Sequence, residues 1–394
     1  MFWALLLPSI SQANHAWDIN GFGSLAVTHT GNETLAVPNY LAQQKKSSNN
    51  TYWGESLLGV QVDYHFNHRW KVSSQLIGQT YFEHDIDSYL QRLFVQYNDD
   101  QFTARLGRIG LETYLLSDYR NVGFAYLWAH PSMEFYGPFS MDYYDGFELG
   151  YTFPFDFNQL NFRLYGGTTK QIIHRNGEVY ELKNEPMFGA KLQYDTEAWL
   201  YRLSAAYTEF TDDLSNLVEL RNALNSITPL WPEASTYADS LLLKDTSIHY
   251  YSTGFRYEGT PWLWQTELSY TVFETDLLGD FWAGYTSLGY QFDEWTLFSS
   301  LGFVEPTERI RSVDGAPAFL SELQEIADTA FKTSANQHSF SLGFRWDFYP
   351  NFALKAQWDR TWIKQYGGVL WVSDEINSND EIINTFSLKL DFIF

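Results

Sequence analysis

The last nine residues, FSLKLDFIF (386–394), alternate between apolar and polar side chains along most of their length. Serine, lysine and aspartate stand at every second position between the apolar residues. A β-strand sends successive side chains to opposite faces, so this segment predicts a strand with one apolar and one charged face. The apolar face carries Phe386, Leu388, Leu390, Phe392 and Phe394.

Composition limits the class of protein. The chain has 394 residues, of which 19% are aromatic, with no cysteine and a formal net charge of -23. No stretch approaches the roughly 18 consecutive apolar residues that a membrane helix needs. The absence of cysteine removes disulfides and thiolate chemistry. The negative net charge argues against nucleic-acid binding, which requires clustered lysine and arginine.

Segments with the same alternation recur from Trp17 onward, separated in turn by tight turns and by long polar connections. We count sixteen, which predicts an all-β fold: a transmembrane antiparallel up-and-down β-barrel of 16 strands. Soluble β-sandwich or propeller units would also give many short strands, but their exposed faces would be polar. Here large aromatic residues occupy strand ends on the apolar face, as in an interfacial girdle. These residues are Trp70, Trp199, Trp262, Trp295 and Tyr349.

The terminal phenylalanine and this layout resemble the outer-membrane porins of Gram-negative bacteria. The resemblance covers nearly the whole chain, but it rests on topology and Phe394 and not on a residue-level motif. It implies an outer-membrane protein that spans the membrane many times, recognition by the barrel assembly machinery through Phe394, lipid and lipopolysaccharide around the barrel, and a homotrimer. It also implies that the long connection 109–143, the third external loop, folds into the lumen and constricts it.

The amino-terminal residues 1–13 are predicted to be the remainder of a signal peptide, because residues 2–7 are mostly apolar and small residues follow at Ser11 and Ala13. A basic region is missing, so an apolar leader of the folded chain stays an alternative. Residues 14–394 are then one barrel domain that contains the inserted loop 109–143.

Charged side chains that alternation points inward form the candidate constriction. Opposed charges across a narrow, low-dielectric passage orient and select solutes. The porin resemblance assigns a basic wall facing loop charges, although some arginines could simply pair with wall carboxylates such as Glu148. The predicted wall is Arg92, Arg105, Arg163, Lys191 and Arg202. The predicted loop residues are Arg108, Glu112, Asp118, Arg120, Glu134, Asp142 and Asp145.

The predicted function is an aqueous channel for passive diffusion of small hydrophilic solutes and ions. A substrate-selective channel for small anionic or sugar-like solutes is the alternative. An enzymatic barrel is disfavoured because the nine histidines are scattered and none belongs to a Ser/His motif. No cofactor or metal is predicted. Aromatic residues of the inserted loop form either its own core or a stacking surface. Residues 214–226 and 317–331 have the spacing of short loop helices.

Overall fold

Sixteen long strands, each paired with its neighbours in sequence, form one closed antiparallel sheet. The computed structural model describes residues 16–31, 36–38, 50–52, 55–79, 86–138, 141–175, 178–275, 277–307, 312–372 and 377–394. The predicted signal segment 1–13 lies outside the described residues. The predicted all-β barrel of 16 strands is confirmed. The strands are β1 Trp17–Thr30, β2 Leu57–His65, β3 Trp70–Gln79, β4 Leu90–Asn98, β5 Phe102–Gly110, β6 Tyr143–Pro154, β7 Gln159–Arg175, β8 Glu178–Asp195, β9 Trp199–Phe210, β10 Ser247–Gly259, β11 Trp262–Phe273, β12 Phe281–Phe292, β13 Trp295–Pro306, β14 Ala335–Tyr349, β15 Phe352–Gly368 and β16 Glu381–Ile393.

The first and last strands close the barrel. β1 and β16 pair from Phe22 opposite Ile393 to Thr30 opposite Thr385. The backbone of Gly21 exchanges hydrogen bonds of 2.8 and 2.9 Å with Phe394, and the ring of Phe394 fills the space where a side chain on Gly21 would lie. The terminal aromatic residue is therefore part of the seam between the two strands.

Short elements complete the chain. Asn50–Tyr52 extends the pairing with β1, and Ala36–Pro38 pairs with Trp371–Val372 in a separate two-stranded sheet. The predicted loop helices are present, together with shorter ones. The helices are α1 Ile86–Tyr89, α2 Met133–Tyr136, α3 Ser215–Ser226, α4 Ala234–Asp239 and α5 Ser321–Lys332, with 3-10 turns at Gly123–Ala125 and Ala318–Leu320. No helix in the described ranges is long and apolar enough to cross a membrane.

The two faces of the wall differ as the alternation predicts. On β16, Phe386 and Leu388 are 55% and 50% exposed on the outer face, while Lys389 and Asp391 are buried on the inner face. Such a pattern places apolar surface where lipid replaces water as the solvent, and it reserves the polar side chains for the interior. The wall thus supplies the interior with its charged groups.

Short turns join the strands at one end of the barrel and long connections at the other. At the long-loop end, Leu224 and Trp231 follow β9, and Val313 and Phe331 follow β13; all four are buried in one apolar cluster. The same cluster includes Leu111, which follows β5. The long connections therefore pack together and onto the chain that leads into the barrel, instead of extending separately into solvent.

Candidate functional site

The connection between β5 and β6, residues 111–142 and here called the inner segment, contacts inward-facing residues of distant strands through its described residues. Leu115 donates its backbone N–H to the Glu267 carboxylate on β11 over 2.8 Å. Lys355 on β15 donates to the carbonyl oxygen of Gly123 over 2.7 Å. In a barrel of sixteen strands, β11 and β15 lie across from β5 and β6. A chain that leaves β5 and reaches both must pass through the space that the wall encloses.

Four predicted site residues meet in one buried ion network. Glu112 of the inner segment contacts Arg105 at 3.0 Å, Arg163 at 2.5 Å, and Lys191. Glu148 on β6 lies 3.2 Å from Arg105 and 3.4 Å from Arg163. Glu112, Glu148 and Lys191 are each no more than 4% exposed. Three cations and two carboxylates thus hold the start of the inner segment against the wall.

This network changes the predicted role of the basic wall. The wall exists, because Arg105, Arg163 and Lys191 all point inward from neighbouring strands. A carboxylate of the inner segment, however, lies directly on it, and Glu148 pairs with it as the alternative interpretation proposed. Of the three cations in this network, Arg105 and Arg163 keep partly exposed side chains, at 19% and 24%.

The other two wall residues hold the backbone of the inner segment. Arg92 donates to the carbonyl oxygens of Ser117 and Asp118 over 3.2 and 3.0 Å. Arg202 donates to the carbonyl oxygen of Tyr114. Guanidinium groups suit this function because several N–H donors project from one plane. Both arginines therefore fix the path of the segment as well as contributing charge.

The remaining predicted loop residues lie in three different places. Asp118 lies near the cations of the Glu112 network. Arg120 and Asp142 form an ion pair of 2.9 Å within the inner segment. Glu134 lies on the other side of the barrel, against β13 and β14, where Gln337 donates to it over 2.9 Å. The structure therefore separates Glu134 from the basic wall instead of placing it opposite the arginines across an open gap.

The prediction for Arg108 and Asp145 is wrong. They form a bidentate ion pair, with two distances of 2.9 Å, on the outer face of the barrel. β5 continues to Gly110, so Arg108 shares the outward face of Leu106, and Asp145 likewise shares the outward face of Phe147 on β6. The prediction counted both residues among the loop charges, whereas alternation from Leu106 to Arg108 already gives the outward face.

A second group of charges, not predicted from the sequence, binds the middle of the inner segment. Lys355 and Asp391 pair at 2.9 Å and are fully buried. Lys389 donates to the Tyr126 hydroxyl over 3.3 Å. Arg345 on β14 donates to the Tyr126 carbonyl oxygen over 2.9 Å. Alternation alone could have identified these inward cations, since each lies between outward apolar residues.

His130 connects the same part of the segment to β15. Its Nε2 atom lies 3.0 Å from the Asp359 carboxylate, and Gln357 accepts the backbone N–H of Ala129 over 3.0 Å. A buried imidazole–carboxylate contact therefore binds this part of the segment to the wall.

Aromatic residues of the inner segment pack among themselves and against the wall. Tyr114 makes edge-on contacts with Phe135, Tyr136 and Tyr250, with ring centroids 5.3 to 5.9 Å apart. All four rings are buried. Edge-to-face packing of this kind stabilises a core. These contacts support the interpretation that the aromatic residues form a core for the segment, and not the interpretation that they form a stacking surface for solutes. Another aromatic residue of the segment, Phe139, lies outside the described residues.

Two small cavities flank the inner segment. One lies beside Arg92, Arg120 and Asp142 and measures about 10 Å³. The other lies beside Glu134 and Asp359 and measures about 20 Å³. Roughly 10–15 Å³ is needed for one water molecule.

The interior at the short-turn end is polar and carries both signs of charge. Ion pairs of inward side chains occur on three separate parts of the wall. They join Lys71 to Asp63 at 3.6 Å, Arg256 to Glu258 at 2.9 Å, and Arg345 to Asp347 at 2.7 Å. Over the described ranges, no group of three or more His, Asp or Glu side chains is arranged to hold a metal ion.

Comparison with solved structures identifies the architecture. An anion-selective porin from Comamonas acidovorans is 13% identical, with a TM-score of 0.53, and the match covers 96% of this chain and 99% of that one. The chain has the fold of the outer-membrane porins. OmpF of Salmonella typhi, in a complex with daunomycin, is 12% identical, with a TM-score of 0.53 and coverage of 96% and 97%.

A trimer form of OmpT, an outer membrane protein of Vibrio cholerae, matches with 12% identity and a TM-score of 0.53, covering 96% of this chain and all of that one. No family model and no curated relative matches the chain. At sequence identities this low, the similarity to porins describes the fold and assigns no function to individual residues.

Proposed function

We propose that this chain forms a narrow outer-membrane channel through which small hydrophilic solutes and ions diffuse passively. The observation that carries the proposal is the inner segment, which contacts charged and polar wall residues across a sixteen-stranded barrel. Barrels of this strand number are too wide for wall side chains alone to fill, and those with polar interiors form aqueous channels. The inner segment then sets the width of the passage.

Hydrogen bonds and ion pairs hold the inner segment in place. Polar attachment of this kind suits a segment that constricts a channel better than one that plugs it permanently. Its polar contacts include Arg92 with two carbonyl oxygens and Arg120 with Asp142. A small cavity lies beside the same three side chains. The low-dielectric wall focuses their field on any ion that passes. We therefore place the selective part of the path between β4 and the inner segment.

Replacing Arg92 with glutamine is expected to shift ion preference toward cations. The substitution removes one positive charge beside the proposed path, while the new side-chain amide can still donate to a carbonyl oxygen of the segment. The measurement is the reversal potential of single channels in a planar bilayer under a salt gradient. Long-lived conductance of the unchanged protein in the same bilayer tests the channel itself.

Lys244→Gln is the matched control, because it removes the same charge from an exposed loop. We expect its reversal potential to equal that of the unchanged protein. If Arg92→Gln conducts normally and also leaves the reversal potential where it was, the path does not run beside β4.

A channel selective for small anions is the second candidate. The basic wall favours it, since five inward cations stand on β4, β5, β7, β8 and β9 against three carboxylates, Glu112, Asp118 and Glu148. Preference for chloride over potassium in the reversal potential would support this candidate. A barrel without conductance that hydrolyses lipid or peptide substrates would instead support an enzyme.

We further propose a homotrimer in the outer membrane of a Gram-negative bacterium, surrounded by lipid and lipopolysaccharide. Its support is the fold, together with the trimer form of the V. cholerae protein. The mass of the unheated protein in mild detergent, measured by light scattering with the bound detergent subtracted, distinguishes a trimer from a monomer.

A further inference from the structure

Glu134 is a buried carboxylate for which the described residues supply no positive partner. It lies in the first turn of the short helix α2 and is 2% exposed. Its two oxygens accept hydrogen bonds from Ser132 Oγ at 2.8 Å and from Gln337 Nε2 at 2.9 Å. Across the described ranges, no Lys, Arg or His forms an ion pair with it. Burying an ionised carboxylate without a compensating charge is strongly unfavourable.

Glu112 shows how the same chain treats a buried carboxylate elsewhere. Three cations, Arg105, Arg163 and Lys191, surround Glu112. Asp359, the other carboxylate near Glu134, already has His130 at 3.0 Å. Glu134 therefore departs from the pattern that these two carboxylates follow.

A row of oxygen-bearing side chains lies next to Glu134 on the wall. Strand pairing places Ser300 of β13 opposite Ser341 of β14, Ser341 opposite Asp359 of β15, and Asp359 opposite Thr385 of β16. Directly opposed inward side chains on adjacent strands, such as Ser300 and Ser341, lie close enough for their oxygens to reach a common atom. These residues and Glu134 line the cavity of about 20 Å³, which has room for about one atom of the size of a water molecule.

Thr385, on β16 at the far edge of the same cavity, is another buried polar group, and it lacks a partner among the described residues. Its side chain is 1% exposed, and its hydroxyl oxygen has no hydrogen-bond partner within the part of the chain that the structure describes. A buried hydroxyl without a partner costs free energy. Thr385 is two strands away from β14, so an oxygen-seeking ligand that neutralises Glu134 would lie on the β13 and β14 side of the cavity.

The absence of a side chain at Gly302 makes this arrangement possible. A Cβ atom at Gly302 would lie 2.6 Å from Glu134 Oε2, and 2.8 Å from both Ser132 Oγ and Ser339 Oγ. Such distances are shorter than van der Waals contact allows, so the three oxygens converge where only a glycine leaves space. The wall is thus shaped to receive the carboxylate of α2.

We propose that this cavity binds one dehydrated monovalent cation of the size of sodium or potassium, between Glu134 and the hydroxyl groups of Ser132, β13 and β14. One unpaired carboxylate matches one positive charge, and neutral hydroxyl oxygens complete the shell. Calcium takes six to eight oxygen ligands, commonly including several carboxylates, and the cavity offers one that is free. The ion fixes α2 to the wall whether or not the barrel conducts.

Rubidium is the probe, because it replaces potassium and gives anomalous X-ray scattering. In crystals of the full chain grown in rubidium chloride, we expect an anomalous peak within about 3 Å of a Glu134 carboxylate oxygen, a distance typical of hydrogen-bond-length oxygen contacts. Glu134→Gln should abolish the peak. Glu305→Gln, an exposed carboxylate on the outer face, should keep it. Absence of the peak in the unchanged protein, or its persistence in Glu134→Gln, would overturn the proposal.

A second measurement does not depend on a variant that folds. The unfolding temperature of the unchanged protein is followed at constant ionic strength while choline chloride is replaced by sodium, potassium or rubidium chloride. Choline is too large for the cavity. A saturable rise with an alkali cation is expected, because a ligand that binds only the folded state stabilises it. Equal unfolding temperatures in all four salts would refute a bound ion.

Discussion

Glu112→Gln is expected to destabilise the barrel more than any other single change among its interior charges. The substitution leaves Arg105, Arg163 and Lys191 close together with Glu148 as their nearby carboxylate. Removing one partner of a buried ion pair typically costs about 3–5 kcal/mol, because the other charge stays buried without compensation. We expect a large fall in the unfolding temperature, measured by the loss of the compact, unheated band in gel electrophoresis.

Glu305→Gln provides the comparison with an exposed pair. Glu305 lies 3.0 Å from His338, and both side chains are about half exposed. Exposed ion pairs contribute roughly 0–1 kcal/mol. Its unfolding temperature should therefore stay close to that of the unchanged protein. Similar losses from Glu112→Gln and Glu305→Gln would mean that the Glu112 network does not hold the inner segment.

A second substitution separates charge balance from lost hydrogen bonds. Combining Glu112→Gln with Lys191→Met removes a cation from the same network, so the double variant should regain part of the stability lost in Glu112→Gln. Residues in direct contact show such non-additive effects, and the coupling isolates their interaction. Simple addition of the two single effects would argue against direct coupling between Glu112 and Lys191.

The fold could be predicted from sequence because lipid imposes a simple rule on every strand. Outward residues must be apolar and inward residues need not be, so alternation in segments such as 386–394 fixes both strand position and face. The same rule gave the correct inward direction for Arg105, Arg163 and Lys191. It also gives the outward direction of Arg108, which the prediction missed because it assigned that residue to the loop.

The partners of the inward charges could not be predicted in the same way. Glu112 lies two residues beyond β5, where alternation no longer applies, and its position on the wall depends on how the whole inner segment packs. The separation of Glu134 from the arginines has the same origin, since α2 is carried across the barrel. Contacts between distant parts of a chain follow from its three-dimensional path, which local patterns do not encode.

Removing the inner segment is expected to raise single-channel conductance several-fold and to abolish most ion selectivity. Gly110 of β5 pairs directly with Tyr143 of β6. A short glycine-containing turn can therefore replace residues 112–137 without moving either strand. The wall that remains encloses a sixteen-stranded interior, whose width leaves an aqueous channel. Conductance in a planar bilayer measures the change.

The matched control shortens the long connection after β9, replacing residues 212–244 with a turn of the same kind. That connection packs over the long-loop end through Leu224 and Trp231, so its removal should widen the entrance and leave the interior constriction in place. We expect a much smaller rise in conductance than from removal of the inner segment. Equal increases in both variants would place the narrowest point at the entrance, and the ion pairs of Glu112 would then stabilise the barrel without limiting flow.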